Sequence, residues 1–376
     1  MNHAELRAPA GVPAAQASGL GGVVVADTRL SHVDGERGEL FIAGKRAEAL
    51  ALDEARPFEA VVEQLFALSS GEPPRELRQR LAQARVAAFA RVAELQGALA
   101  LSDAMDALLA ATAQGCAGSD AIAVLGALPV YVAAFARLRA GQSLIAPRSE
   151  LRHSEDFLAM LGLPSDAARA RALDAYWVTV SDHSLNASTF AARVVASTGA
   201  DVMPCIVAGL GALKGPLHGG APGPVLDMLD ATLDVEPSTW LKSEIAAGRR
   251  IMGMGHRIYR VRDPRAFVFE RVLVRLEQED SAGSAGSAVA TRLAHARSVE
   301  KAAEALLSER HPERPLRANV EFYTALLLEA LGIPRTLFTA TFAVGRCAGW
   351  LAHIEEQRRT GKLIRPAARY VGALPE

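Results

Sequence analysis

The sequence predicts an all-α fold that carries one small β-hairpin near its N-terminus. Strand signals are scarce. Only Gly22-Val-Val-Val-Ala26 and Leu40-Phe-Ile42 are short β-branched or aromatic runs bounded by turn residues. Nearly everything after them is alanine-rich and repeats its apolar residues at helical spacing. Half of the 376 residues are apolar and 22% are charged, the balance of a globular chain that can bury a large core.

Taken in order, Met1 to Ser18 is a polar, Ala/Pro-containing tail with neither the charged start nor the apolar core of a signal peptide. The hairpin follows, with Asp34-Gly35 and Gly38 between its two strands. Helical spacing is clearest over Phe58 to Leu68, Arg75 to Leu99, Ser102 to Gln114, Asp166 to Ser181 and Ser188 to Ser197. Ala121 to Leu138 is almost wholly apolar. It contains Gly126 and Pro129, ends at Arg137 and Arg139, and falls short of the about 20 apolar residues a membrane span needs, so it reads as a buried core helix. Asp182 to Phe190 opens a helix on which the spacing puts His183, Asn186 and Phe190 on one face. Glu277 to Ala288 has no apolar period and reads as a surface loop between two helices. Thr336 to Arg359 is a long helix ending at Gly361, with Arg358 and Arg359 where the helix dipole favours cations.

The bulk numbers exclude some functions. A net charge of −1 argues against nucleic-acid binding, which needs a surplus of basic residues on one face. Basic charge is local instead: Arg257, Arg260, Arg262 and Arg265 fall within nine residues. Cys116, Cys205 and Cys347 lie far apart among small and aliphatic residues, which suggests buried reduced thiols and a cytoplasmic protein. No histidines show the short spacing of metal ligands, so no metal is expected.

The chemistry concentrates in three segments. Gly215-Pro-Leu-His-Gly-Gly-Ala221 surrounds His218 with small residues, which lets a ligand approach the backbone. Gly253 to Arg265 holds His256 and the arginine cluster. In Asn319-Val-Glu-Phe-Tyr323, Asn319 can cap a helix whose dipole favours an ionised Glu321 in its first turn. Two histidines, a carboxylate and several arginines suit making a carbanion equivalent and adding it to an anionic electrophile. On the long C-terminal helix, Phe342, Arg346, Trp350 and His353 line one stripe. An arginine there needs an anion, either a ligand or an acid such as Glu355, Glu356 or a more distant one.

These segments, with Ser181 to Phe190, Arg193-Val-Val-Ala-Ser-Thr198 and Phe342 to Gln357, resemble those of the citrate synthase family and stand in the family's order. The resemblance runs from about Gly19 to Gly372. It implies a citrate synthase-like two-domain helical fold, with a large domain of residues 1–219 and 332–376 and a small domain of residues 220–331. It also implies a homodimer whose cleft site is shared between subunits. The substrates would be oxaloacetate and acyl-CoA, with no permanently bound cofactor. His218 would then hydrogen-bond the thioester carbonyl, Glu321 would take a methyl proton, and His256 would polarise the oxaloacetate ketone. His183, Arg265 and Arg346 would grip the carboxylates, and Arg365 would reach the partner's site. Arg260 and Asn319 would lie on the coenzyme A side.

The chain departs from the family at two places. Glu321 stands where the family usually has aspartate, and Phe41-Ile-Ala-Gly-Lys-Arg46 replaces Tyr-Arg-Gly-Tyr, with Lys45 or Arg46 as stand-ins for the lost arginine. Citrate synthase is therefore the main expectation. The alternatives are a 2-methylcitrate synthase using propionyl-CoA, or a paralogue that only binds CoA esters or dicarboxylates.

Overall fold

The computed structural model describes residues 20, 22–219, 222–280, 284–313, 316–368 and 370–373. The tail Met1 to Ser18 and the end of the His218 motif at residues 220–221 lie outside them. The described residues form 16 α-helices and one three-stranded antiparallel sheet, β1 (Ser31–Asp34), β2 (Glu39–Ile42) and β3 (Lys45–Arg46), in the order β1-β2-β3.

The hairpin therefore pairs Ser31 with Ile42 and Asp34 with Glu39, and not through Gly22 to Ala26 as the sequence suggested. Strand propensity alone does not hold the valine run, because it has no pairing partner among the described residues and Val24 stays exposed. In β2, by contrast, Leu40 and Ile42 turn into the core.

Helices begin where short polar side chains satisfy the first N–H groups. Asp103, Asp120, Asp166, Asn186 and Asn319 each accept such a bond. The apolar helix Ala121–Arg139 is buried along most of its length and packs against Leu77–Ala90, Ala104–Gly115 and His153–Leu161, the place of a core helix. The helix expected over Arg75 to Leu99 is broken at Arg91 into Leu77–Ala90, a 3-10 turn at Val92–Leu95 and Gln96–Leu99. Arg91 reaches the Gly115 carbonyl at 2.7 Å, a tertiary tie that overrides local helix preference.

The segment Glu277 to Ala288 is also more helical than its pattern suggests. Helix Pro264–Asp280 runs into it and Ser284–Arg310 starts within it, with residues 281–283 outside the described set. The buried residues on either side of it are Leu276 and Leu293.

The long helix Phe338–Thr360 packs on Phe58–Ser70, Ala187–Ala196 and Val202–Lys214. Its Gly349 lets the backbone of residues 181–182 lie directly on the helix. The Gly349 N–H donates to the Ser181 carbonyl at 3.1 Å, and a Cβ there would overlap that oxygen. A second group, Pro222–Ala231, Pro237–Ala246, Pro264–Asp280, Ser284–Arg310 and Val320–Ala330, packs on itself and meets the first through Pro264–Asp280 against Ala167–Val180.

Candidate active site

His183 lies in the loop between Ala167–Val180 and Ala187–Ala196. It does not share a helix face with Asn186 and Phe190, because the helix starts at Ala187 and Asn186 is its N-cap. Asp182 anchors the loop by accepting from the Ser31 hydroxyl at 2.6 Å and lying 3.1 Å from His353 Nε2. Burial, then the positive charges of Arg265 and Arg346, hold His183 neutral, well below its ordinary pKa.

His256 meets His183 edge to face, with ring centroids 5.9 Å apart. The backbone N–H groups of Ile258 and Tyr259 both point at its Nδ1, each at 3.1 Å. That nitrogen must accept, so the neutral ring carries its proton on Nε2. The 3.3 Å approach of Arg265 Nη2 to Nε2 is then a contact between two donors. Burial and Arg265 lower the His256 pKa to about 4.

The carboxylate of Asp263 knots this half of the site. It takes Arg265 Nε at 3.0 Å and Nη2 at 2.7 Å, and one of its oxygens also accepts from the Val320 N–H at 3.2 Å. Backbone bonds lace the His256 and Glu321 segments together: Gly255 N–H to the Arg317 carbonyl at 2.7 Å, and Asn319 N–H to the Gly253 carbonyl at 2.9 Å. The Asn319 side chain is used at both ends, accepting from the Glu321 N–H at 3.0 Å and donating to the Gly255 carbonyl at 2.8 Å. Glu321 thus sits at a capped helix start. Burial pushes its pKa up to about 7 against the pull of Arg265, with Asp263 adding to the rise.

His218 approaches from the other side, its Nε2 2.8 Å from Ser188 Oγ. Trp350 Nε1 can only donate, and it points at the same oxygen from 3.2 Å. The Ser188 proton is left for His218 Nε2 or for Asn186 Oδ1, which already accepts two backbone N–H groups. Giving it to His218 puts the imidazole's own proton on Nδ1. Burial, then Arg346, lower the His218 pKa to about 4.

Arg346 is buried. Its Nε donates to the Val180 carbonyl, and its guanidinium stacks over Phe342. Glu356, one of the acids the sequence offered it, instead pairs with Arg193 at 2.6 Å. Arg346 and Arg265 both act electrostatically on His183, His218 and Glu321, so these groups surround one region.

Arg260, Arg365 and Arg46 lie elsewhere, and Asn319 is occupied as a cap. Arg260 is largely exposed near Glu36, at 3.8 Å, and the Asn319 side chain is consumed by its cap. Arg365 lines a separate surface hollow with Asp27, Phe190 and Arg193. Arg46 reaches back to Glu39 and over the Phe41 ring.

Sequence reasoning missed four features. Ser188 and Trp350 orient His218, and Tyr259 contacts both His183 and His256. A hollow of about 560 Å³ beside His256 is lined by Arg249, Arg250, Arg257, Arg310 and His311 over Ile251, Met254 and Leu316. The Arg249-Arg250 pair next to an apolar step was the available signal. The fourth is the spine formed by β1 and the turn after it. Ser31 Oγ accepts from the Ser184 N–H at 2.7 Å beside His183, and the Gly35 carbonyl accepts from the Arg260 N–H at 2.9 Å beside Tyr259. A Cβ on Gly35 would lie 2.5 Å from the Ile258 carbonyl oxygen.

Comparison with known proteins gives a consistent picture. A family model for the citrate synthase C-terminal domain matches residues 19–367. The citrate synthase of Haloferax volcanii is 34% identical, covering 94% of this chain and 95% of its own. A Mycobacterium tuberculosis relative is 46% identical over 211 residues, and that match spans about half of each chain, 56% of this one and 53% of the relative. Among solved structures, citrate synthase from Thermotoga maritima superposes with a TM-score of 0.76 at 32% identity, covering 96% of both chains. Citrate synthase from Thermoplasma acidophilum, solved as a ternary complex with carboxymethyl coenzyme A and oxaloacetate, gives 0.80 at 25% identity, covering 94% of this chain and 96% of its own.

Proposed function

We propose that this chain, which belongs to the citrate synthase family, condenses acetyl-CoA with oxaloacetate and hydrolyses the product to citrate and free coenzyme A. The observation that carries this reading is the convergence of a buried arginine with no carboxylate partner among the described residues, Arg346, on a carboxyl group poised near neutrality, Glu321.

Oxaloacetate binds first, its carboxylates taken by Arg346, Arg265 and His183. Glu321 removes a methyl proton from the thioester while the His218 N–H stabilises the enol or enolate oxygen. The carbanion equivalent attacks the ketone carbon, and His256 donates its Nε2 proton to the oxygen that becomes the hydroxyl. Water then cleaves the citryl thioester, giving citrate and the free thiol. The arginine-lined hollow beside His256 suits the phosphates of coenzyme A, and its apolar floor suits the adenine. No resident cofactor takes part. The active form is a cytoplasmic homodimer, with Arg365 completing the partner's oxaloacetate site. The buried free cysteines fit a reducing compartment.

A 2-methylcitrate synthase would use the same residues on propionyl-CoA, because one methylene in an apolar pocket changes selectivity by only about 1–3 kcal/mol. Thiol release from acetyl-CoA and from propionyl-CoA, each with and without oxaloacetate, tests the reading. Oxaloacetate-dependent release supports it, and the faster acyl donor names the substrate. Binding without release would leave a protein that only holds CoA esters or dicarboxylates.

A further inference from the structure

We propose that Tyr259 is a positioning residue that ties His183 to His256 and thereby fixes how oxaloacetate is received. This inference rests on the function proposed above. Tyr259 is 3% exposed and touches three groups of the candidate site. Its hydroxyl lies 3.1 Å from His183 Nε2, its ring centroid is 4.7 Å from that of His256, and the Arg265 guanidinium carbon lies 5.8 Å from its ring. Its backbone N–H is one of the two that make His256 Nδ1 an acceptor. One residue thus acts on both histidines, through its backbone on His256 and through its hydroxyl on His183.

The direction of the His183 bond follows from donor counting. Neutral imidazole has one N–H, and the pull that raises the His183 pKa from its own backbone is that of an acceptor, a carbonyl that takes the Nδ1 proton. Its Nε2 is then the acceptor, and the phenol must donate. The phenol keeps its proton because burial raises its pKa far above neutrality. The two histidines come from loops of different helix groups, and Tyr259 touches both rings. The ring planes stand close to perpendicular, 75° for His183 on His256 and 73° for His183 on Tyr259. The segment carrying Tyr259 is itself pinned where Arg260 N–H meets the Gly35 carbonyl. Phenylalanine would fill the same space, so a hydroxyl aimed at His183 is what a merely space-filling residue would not need.

The test compares the parent with Tyr259→Phe and Tyr259→Leu. Tyr259→Phe keeps the ring against His256 and should raise the oxaloacetate KM about tenfold, the scale of one lost buried hydrogen bond, with kcat within about twofold. Tyr259→Leu should lower kcat as well, because His256 loses its support. Nitrogen-15 spectra of the histidine rings give the readout that a packing role would not move. His183 should hold its proton on Nδ1 alone in the parent and populate both tautomers in Tyr259→Phe. An unchanged KM together with an unchanged His183 tautomer in that variant overturns the proposal. Should Tyr259→Phe not fold, a parent His183 protonated on Nε2 overturns it equally. If the parent releases no thiol from either acyl-CoA, the functional reading fails instead, and the His183 tautomer still decides for or against Tyr259.

Discussion

The guanidinium of Arg346 lies 4.7 Å from the centre of the Phe342 ring, one helical turn away, and among the described residues it has no carboxylate at ion-pair distance. Burial lowers its pKa to about 10, which Arg265 reinforces and Asp182 opposes. A folded-state value below the unfolded one means that the charged form costs stability at neutral pH until an anion arrives. Arg346→Met should therefore stabilise the ligand-free protein, by about 1–3 kcal/mol, as buried charges replaced by apolar groups do. The same change should weaken oxaloacetate binding by about 2–5 kcal/mol. Thermal melts and calorimetry, with and without oxaloacetate, check both signs. Unchanged affinity removes Arg346 from the site.

We expect Glu321 to govern the acid limb of activity. Its pKa of about 7 means that the base ionises as pH rises through neutrality, whereas His218 and His256, near 4, are already neutral there. The kcat should climb through about pH 7 with a single ionisation.

The stability signs follow separately. Glu321, raised from 4.5, contributes stability below pH 4.5 and loses it as pH rises through 7. The two histidines, lowered from 6.5, contribute above 6.5 and lose it as pH falls through 4. Glu321→Gln should cut thiol release by about 10²-fold or more. It should also be more stable than the parent at pH 8, by no more than about 3 kcal/mol because Glu321 is only partly buried. Near-normal turnover in this variant assigns the base to another residue.

Much of the site was legible because its chemistry sits in short segments. His256 and Arg265 lie nine residues apart, and Asn319 announces both a helix start and the Glu321 position. What stayed hidden depends on contacts between distant segments. Ser188 is an ordinary helix-start serine until Trp350 and His218 converge on it. The face proposed for His183, Asn186 and Phe190 failed because the cap at Asn186 starts the helix three residues too late. The valine run at residues 23–25 outscored Ser31–Asp34 on propensity, yet pairing is decided by which segment anchors at Asp182.

Gly35→Ala probes that anchor. The added methyl meets the Ile258 carbonyl oxygen, so the turn or the Tyr259 segment must shift. We expect a stability loss of about 1–3 kcal/mol, typical of overpacking, together with weaker oxaloacetate binding. A stability loss with intact binding would confine the turn to a structural role.

Arg365 provides the test of a shared site. Arg365→Ala and His218→Ala chains, each inactive alone, should recover activity when mixed, because one hybrid site has both residues intact. Verified hybrids that stay inactive rule out action across subunits.

The β1 strut also bears on the order of assembly. The Arg29 N–H meets Glu356 across 327 residues of sequence, and Ser31 meets Asp182 across 151. During synthesis Arg29 leaves the ribosome long before its partner Glu356. Such non-local pairings close slowly. The early helices can collapse around Ala121–Arg139 well before then, whereas the His183 loop takes its final shape only once His353 and Glu356 are available to it. A chain cut short before Glu356 would therefore lack the anchor of its N-terminal segment.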